Sequence, residues 1–312
     1  MRNLRVTALV QLLSNTEMKP YLKEIIICAI AIIIAAIAVS YFSMQIQERK
    51  QTEAIHIALF DNPEAVATLY INKPQTLSNT LKAKQTIENM LSDQIPPVFL
   101  QLAKLYDATT PSLVLFYPKE IVFVAKANGS IIKKMSDSVF AVHYHNYRPV
   151  EHKKGPITYY YYPETDNQFL GYFHYKGIMA VSYSKKHLED IGDRLVQIRR
   201  NKPTDRNTEE SKVAFELRVN TDYIKSDSII ASDSTIWKFE EKTFPLELSF
   251  GENTLCFQGI FNDISLTDSI LHDKLKEAFS VQLKELFPES QPETALRAVY
   301  SSLLINSCIA YP

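Results

Sequence analysis

Two histidines stand one residue apart in His143-Tyr144-His145. On a strand, alternation turns both imidazoles to one face. His174 falls on a nearby candidate strand, so the three rings are the pieces of a possible metal site. No Asp or Glu flanks the pair. A partly exposed polar sheet face is the plainer reading, and no metal is assigned. Two S-x-x-K quartets also occur, Ser130-Ile131-Ile132-Lys133 and Ser182-Tyr183-Ser184-Lys185. In the penicillin-recognising enzymes such a Ser is acylated and the Lys tunes its proton, but those enzymes also carry S-x-N and K-T-G. The nearest approach here is Lys242-Thr243-Phe244, without the glycine that admits substrate. Both quartets read as helix caps followed by exposed lysines. Glu189-Asp190 and Glu240-Glu241 are adjacent pairs whose side chains diverge. They read as solvated surface.

Glycine is scarce, at 7 of 312 residues. Phosphate-cradling loops, oxyanion loops and nucleophile elbows use glycine to bring backbone close to a ligand. No G-x-G, G-x-x-x-x-G-K or G-x-S-x-G occurs, which weighs against the enzymes that depend on them. No catalytic residue and no cofactor is assigned. With 34 basic and 35 acidic residues the formal net charge is −1. That balance gives no electrostatic reason to bind nucleic acid.

The elements that would position these residues begin with an unbroken apolar run, Ile25 to Phe42, with no charge, Pro or Gly. As a helix it is about 27 Å long, close to the hydrocarbon thickness of a bilayer. Arg2, Arg5, Lys19 and Lys23 precede it, and Arg49 and Lys50 follow. The bias predicts a cytoplasmic N-terminus and the bulk of the chain outside. Ala38-Val39-Ser40 resembles a signal-peptidase site, but the leading arm and the run are both long for a signal peptide. A retained anchor is therefore expected. Cys28 lies inside the run, which leaves Cys256 and Cys308 beyond it. These two can pair in an oxidising compartment, and the plainer reading is two buried thiols.

Residues 45–62 read as a juxtamembrane stalk. Strands follow at Ala65–Ile71, Ser112–Tyr117, Glu120–Ala127, Phe140–Tyr147, Ile157–Tyr162, Phe169–Tyr175 and Ile178–Ser184, by alternation and β-branched content. Helices are expected from Pro74 to about Leu91, over Val98–Tyr106, and over Lys185–Arg200 behind a Ser184 cap. Asn201–Ser211 is polar, charged and contains Pro, the pattern of a linker. Beyond it come strands at Lys212–Val219, near Thr235–Phe239, and at Phe244–Phe250 and Thr254–Phe261. Helices are expected over Thr267–Leu286 and Pro292–Asn306. Leu69-Tyr70-Ile71-Asn72 aligns with Leu217-Arg218-Val219-Asn220. In both an apolar strand ends at an Asn suited to capping a helix. The match marks a candidate repeat.

Tyrosine is abundant at 17, with a run at Tyr159–Tyr162. Alternation places Tyr159 and Tyr161 on one face and Tyr160 and Tyr162 on the other, so that one face can pack the core and the other carry a ladder with Tyr172 or Tyr144. If the face of Tyr159 and Tyr161 is free, these two form with Tyr172 an exposed ladder suited to a protein or glycan partner. Tyr packed on a sheet beneath helices is the competing reading.

The anchor preceded by Pro20-Tyr21-Leu22-Lys23-Glu24, the segment ATLYINKPQTL (67–77) and the strand pair FLGYFHYKGIMAVSYSKKHLEDI (169–191) together carry a resemblance. The order of pieces resembles an uncharacterised family of membrane-anchored ectodomains in Bacteroidetes-type bacteria, best over residues 20–200. The resemblance implies a periplasmic location and no catalytic residues. The C-terminal part is shorter than that family's layout.

The expected class is α+β: one N-terminal transmembrane helix, then an ectodomain of two antiparallel-sheet and helix units, a candidate repeat. The divisions are 1–24 cytoplasmic arm, 25–44 transmembrane helix, 45–62 stalk, 63–200 first unit, 201–211 linker and 212–312 second unit with C-terminal helices. The expected location is the inner membrane, with the N-terminus in the cytoplasm and the C-terminal domain in the periplasm. The expected function is a non-enzymatic interaction or scaffold subunit of a cell-envelope complex. Its partners are the bilayer through Ile25–Phe42 and an envelope protein. The alternative is an envelope hydrolase or transferase acting on peptidoglycan or glycan.

Overall fold

The computed structural model describes residues 55–92, 95–106, 111–145, 147–164, 168–201, 213–220, 229–230, 236–237, 243–251, 254–262, 292–299 and 302–310. It also describes scattered positions in 33–46 and 273–280. Met1–Glu53 and Ala54–Pro312 are two compact units. In the first, Ile33, Ile34, Ala35, Ile37, Val39, Ser40, Ser43 and Ile46 are helical and exposed. The rest of the apolar run lies outside the described residues. Among the described residues no helix is long and apolar enough to cross a membrane.

The second unit is built on one antiparallel sheet of 12 strands. At its centre β1 (Ala67–Ile71) pairs on one side with β2 (Ser112–Tyr117) and on the other with β8 (Phe215–Asn220). Outward from β2 lie β3 (Glu120–Lys126), β7 (Ile178–Ser182), β6 (Phe169–Tyr175), β5 (Ile157–Pro163) and β4 (Val150–Lys154). Outward from β8 lie β11 (Thr243–Phe250), β12 (Thr254–Asn262), β14 (Ser302–Ala310) and β13 (Pro292–Val299). The short strands β9 (Ile229–Ile230) and β10 (Ile236–Trp237) pair only with each other. Turn chemistry suits the hairpins: Lys176 and Gly177 both take positive φ between β6 and β7, as a tight primed turn demands.

Helices cover the two faces differently. Three short ones, α1 (Pro74–Ala83), α2 (Gln85–Ser92) and α3 (Pro97–Leu105), lie between β1 and β2 in sequence. Pro74 and Pro97 sit in their first turns, where the missing N–H costs nothing. The three pack on one another and bury Leu77, Leu81, Leu91 and Leu100 in a core shared with the central strands, whereas α5 (Lys185–Asn201) lies on β6 and β7. Leu188, Ile191 and Leu195 of α5 are fully buried, each contributing about 2 kcal/mol. Between β3 and β4, α4 (Gly129–Met135) runs on through a π turn (Ser136–Phe140) and a last turn (Ala141–His143).

Several expectations are corrected. Phe140–Tyr147 is not a strand. Asn128 caps α4 by accepting from the Ile131 N–H, 3.0 Å, and the helix continues so that Val139 and Phe140 reach the core. Asn128, not Ser130, is the cap. Pro292–Asn306 is not a helix but β13, its turn and the start of β14. Glu-Thr-Ala-Leu-Arg-Ala has helical propensity, and cross-strand pairing overrides it. Of the expected helix Thr267–Leu286, Asp273, Lys276, Glu277 and Ser280 are described, and all four are helical. The expected stalk 45–62 contributes Ile55, Ile57 and Phe60 to the core. The expected linker lies outside the described residues apart from Asn201, which ends α5. The segments 63–200 and 212–312 share a single sheet through the β1–β8 pairing, with Leu69 opposite Leu217.

Cys256 and Cys308, read as free thiols, stand directly opposite each other on β12 and β14 and form a disulfide. Neither is fully buried, because this face of the second half carries no helix among the described residues. Pro245, Glu247, Ser249, Gln258 and Asn306 are exposed on it.

Candidate functional site

The central strands send alternate side chains to the face under α1–α3. Leu69 and Ile71 of β1, Val114 and Phe116 of β2 and Leu217 of β8 point there. β11 and β12 add Leu248, Phe250, Leu255 and Phe257. From above come Leu77, Leu81, Leu91, Phe99 and Leu100. Most of these pack into one core with the central strands, and between them lies a cavity of about 80 Å³. Every lining side chain is apolar. Leu69, Val114 and Phe116 sit mid-sheet beneath a helical layer and still remain only partly buried.

The layer is held by the core it shares with the sheet and by polar contacts of its own. Ser78 Oγ donates to the Lys104 carbonyl at 2.6 Å, and Lys104 pairs with Glu88. Two polar contacts tie it to the sheet. Lys84, between α1 and α2, donates to the Gly251 carbonyl at 2.7 Å, in the turn after β11. Tyr106, after α3, donates to the Lys126 carbonyl at 2.6 Å. A cavity lined in this way is suited to an apolar group. An apolar molecule inside would restore the dispersion contacts that the lining side chains lack.

The opposite face holds a polar cluster beside the centre. Asp61 accepts from Thr68 Oγ1 at 2.7 Å and from Tyr70 Oη at 2.6 Å. The Arg218 guanidinium lies over the Tyr70 ring, 4.3 Å from its centroid, and pairs with Glu216. Burial and the Asp61 carboxylate hold the Tyr70 phenol far above its ordinary range. Arg194 of α5 donates to the carbonyls of Phe60 and Asp61. The cluster fixes residues 55–66 to the sheet.

The three histidines do not meet. His143 Nε2 is 3.6 Å from Glu164 Oε1, His145 sits in a turn at φ 49°, and His174 Nε2 is 3.1 Å from the Ala127 carbonyl. Among the described residues no group of three or more His, Cys, Asp or Glu side chains could share an ion. The two S-x-x-K serines are structural. Ser130 Oγ donates to Asn128 Oδ1, while Ser182 Oγ donates to the Ile121 carbonyl and accepts from the Ser184 N–H. Burial holds the His174 imidazole below its ordinary pKa. The unfolded chain therefore binds a proton that the folded one refuses, so stability is full above about pH 6.5 and falls as pH drops below it. His174→Gln is expected to flatten the thermal midpoint between pH 7 and pH 5 relative to the parent chain. Parallel curves would contradict this.

The tyrosine ladder is turned the other way from the expectation. Tyr159 is fully buried under α5 and Tyr161 nearly so. Burial pushes the Tyr159 phenol up to about 12. On the reverse face Tyr160, Tyr172, Tyr162 and Tyr144 stack in series, with Phe140 against Tyr162 and Tyr172. Tyr144 Oη donates to Glu164 Oε1 at 2.6 Å. Tyr172 belongs to this stack, half-buried. The cavity residues went unrecognised because an apolar strand face reads the same whether it meets a packed core or a void.

No known protein family matches the chain by its sequence profile, and no curated protein matches it. Among solved structures, crystal form I of TP0453 aligns with a TM-score of 0.45 at 12% identity, covering 82% of this chain and 94% of that one. Crystal form III aligns with a TM-score of 0.42 at 14% identity, covering 83% and 95%. At such values the likeness carries no argument about function.

Proposed function

We propose that this chain is a single-pass membrane protein whose body, on the periplasmic side, holds an apolar molecule between its sheet and α1–α3. The cavity carries the reading: it lies between the central strands and α1–α3 and is lined only by apolar side chains. The apolar run Ile25–Phe42 and the basic arm before it support the membrane tether and its orientation. The Cys256–Cys308 disulfide fits an oxidising compartment. Among the described residues the polar cluster around Asp61 ties residues 55–66 to the sheet, and the role proposed is binding rather than turnover.

The reading is tested on the full-length chain held in amphipol. Solvent extraction and mass spectrometry are expected to recover about one long-chain apolar molecule per protein. A chain that yields none, and takes up none of a fluorescent fatty acid offered to it, overturns the reading.

In the same proposal the body is one unit used twice. Strands β1-β2-β3-β7-β6 on one side of the centre are matched in order by β8-β11-β12-β14-β13 on the other. Tyr70 and Arg218, equivalent in the two copies and 148 residues apart, meet beside the junction. The helix α5 covers the outer face of the first copy, and the corresponding face of the second is exposed and polar among the described residues. That face is the observation favouring a second reading, in which the protein is also an interaction subunit of an envelope complex.

A further inference from the structure

We infer that the occupant is a single-chain amphiphile with an anionic head, and that Lys84 is the residue that holds the head. The inference rests on the apolar-ligand reading and names its substrate class. Lys84 follows Leu81 by one helical turn, and Leu81 lines the cavity. Its ammonium reaches Gly251, whose turn is flanked by Phe250 and Leu255, both lining residues. The contact therefore borders the cavity where α1 meets the β11–β12 hairpin. Among the described residues no carboxylate pairs with Lys84, and a single backbone carbonyl accepts from it.

An ammonium has three donors. One spent on a neutral carbonyl leaves capacity for a carboxylate or phosphate oxygen, to which a charged hydrogen bond is stronger. The apolar walls take a hydrocarbon chain, and the charge at the border selects the sign of what stays outside. A cationic head would meet repulsion there, and a neutral head would gain only an ordinary hydrogen bond. Lys84 also joins α1 to the turn after β11, so the head would be held where the two meet.

The test is equilibrium displacement of a fluorescent fatty acid from the full-length chain in amphipol. The competitors are palmitate, palmitoyl-lysophosphatidylglycerol, hexadecanol and hexadecyltrimethylammonium. The expected order places both anions about tenfold tighter than the alcohol, with the cation weakest. Lys84→Met is expected to bring palmitate to within about twofold of hexadecanol, with palmitate losing about tenfold and hexadecanol far less, and Lys84→Arg to keep the anion preference. If palmitate and the lysolipid differ, the tighter one identifies the source as free fatty acid or membrane phospholipid, and either supports the inference. Equal binding of palmitate and hexadecanol by the parent chain overturns it while leaving the cavity reading intact. So does a Lys84→Met chain that keeps the anion preference. Failure of every competitor to displace the probe overturns the cavity reading instead.

Discussion

Cys308→Ser is expected to lower the stability of the folded body by about 4 kcal/mol, the chain-entropy value for a bridge closing a loop of this length. The bridge joins residues 52 apart on β12 and β14. These strands also hold β13 at the sheet's end. The unbridged chain must therefore order the end of the sheet, with Thr294, Ser307 and Ile309 buried there, by pairing alone. Thermal unfolding of the full-length chain with and without reductant measures the effect. The parent chain should lose its high midpoint on reduction, and the variant should be insensitive. A variant that melts with the oxidised parent would show that the bridge contributes nothing.

Gly192→Ala is expected to cost about 2 kcal/mol, because overpacking a filled core outweighs the better helix propensity of alanine. A Cβ at this position in α5 would lie 2.1 Å from Tyr159 Oη and 3.2 Å from Ile157 Cδ1. Tyr159 cannot yield, since its ring is fully buried and packs against Phe173 at 5.4 Å between centroids. Its hydroxyl has no hydrogen-bond partner in the structure. Tyr159→Phe should thus be near neutral alone, as removal of an unpaired buried hydroxyl loses no bond. Combined with Gly192→Ala it should recover more than half of the loss, since the closest clash is with the deleted oxygen. A double variant no more stable than Gly192→Ala would place the strain elsewhere. Glycine is scarce in this chain, and at Gly192 it serves close packing rather than ligand approach.

The parts legible in the sequence were those where local pattern and tertiary role agree. Ala65–Ile71, Ser112–Tyr117 and Glu120–Ala127 alternate because one face of each strand meets helices and the other meets the opposite core. Ser184 announced α5, and its hydroxyl accepts from the His187 N–H at 3.4 Å. Propensity failed where distant pairing decides. Pro292–Val299 has the composition of a helix, yet Thr294 is buried between exposed Glu293 and Ala295, a period of two. That alternation was present in the sequence and was masked by the helix-forming residues around it. Phe140 looked like a strand residue because large apolar side chains serve either element, and the cap at Asn128 was the better signal.

The site was legible only in its components. Leu69 and Leu217 were paired by the repeat reading, and the structure places them opposite each other on the central strands, both facing the cavity. No sequence pattern distinguishes a wall from a core, because both require the same apolar faces on the strands and on α1–α3. The tyrosines drew attention as a surface, but α5 covers Tyr159 and Tyr161. A helix arriving later in the chain decides which side of a strand is outside.

The most direct measurement of the central claim fills the cavity. Val114 lies mid-sheet on β2 with its side chain in the lining. Val114→Trp places a large ring in the space between the sheet and α1–α3. Binding of a fluorescent fatty acid to the full-length chain is expected to weaken at least about tenfold, with a thermal midpoint equal to or above that of the parent chain. Undiminished uptake by a folded Val114→Trp chain would contradict the account.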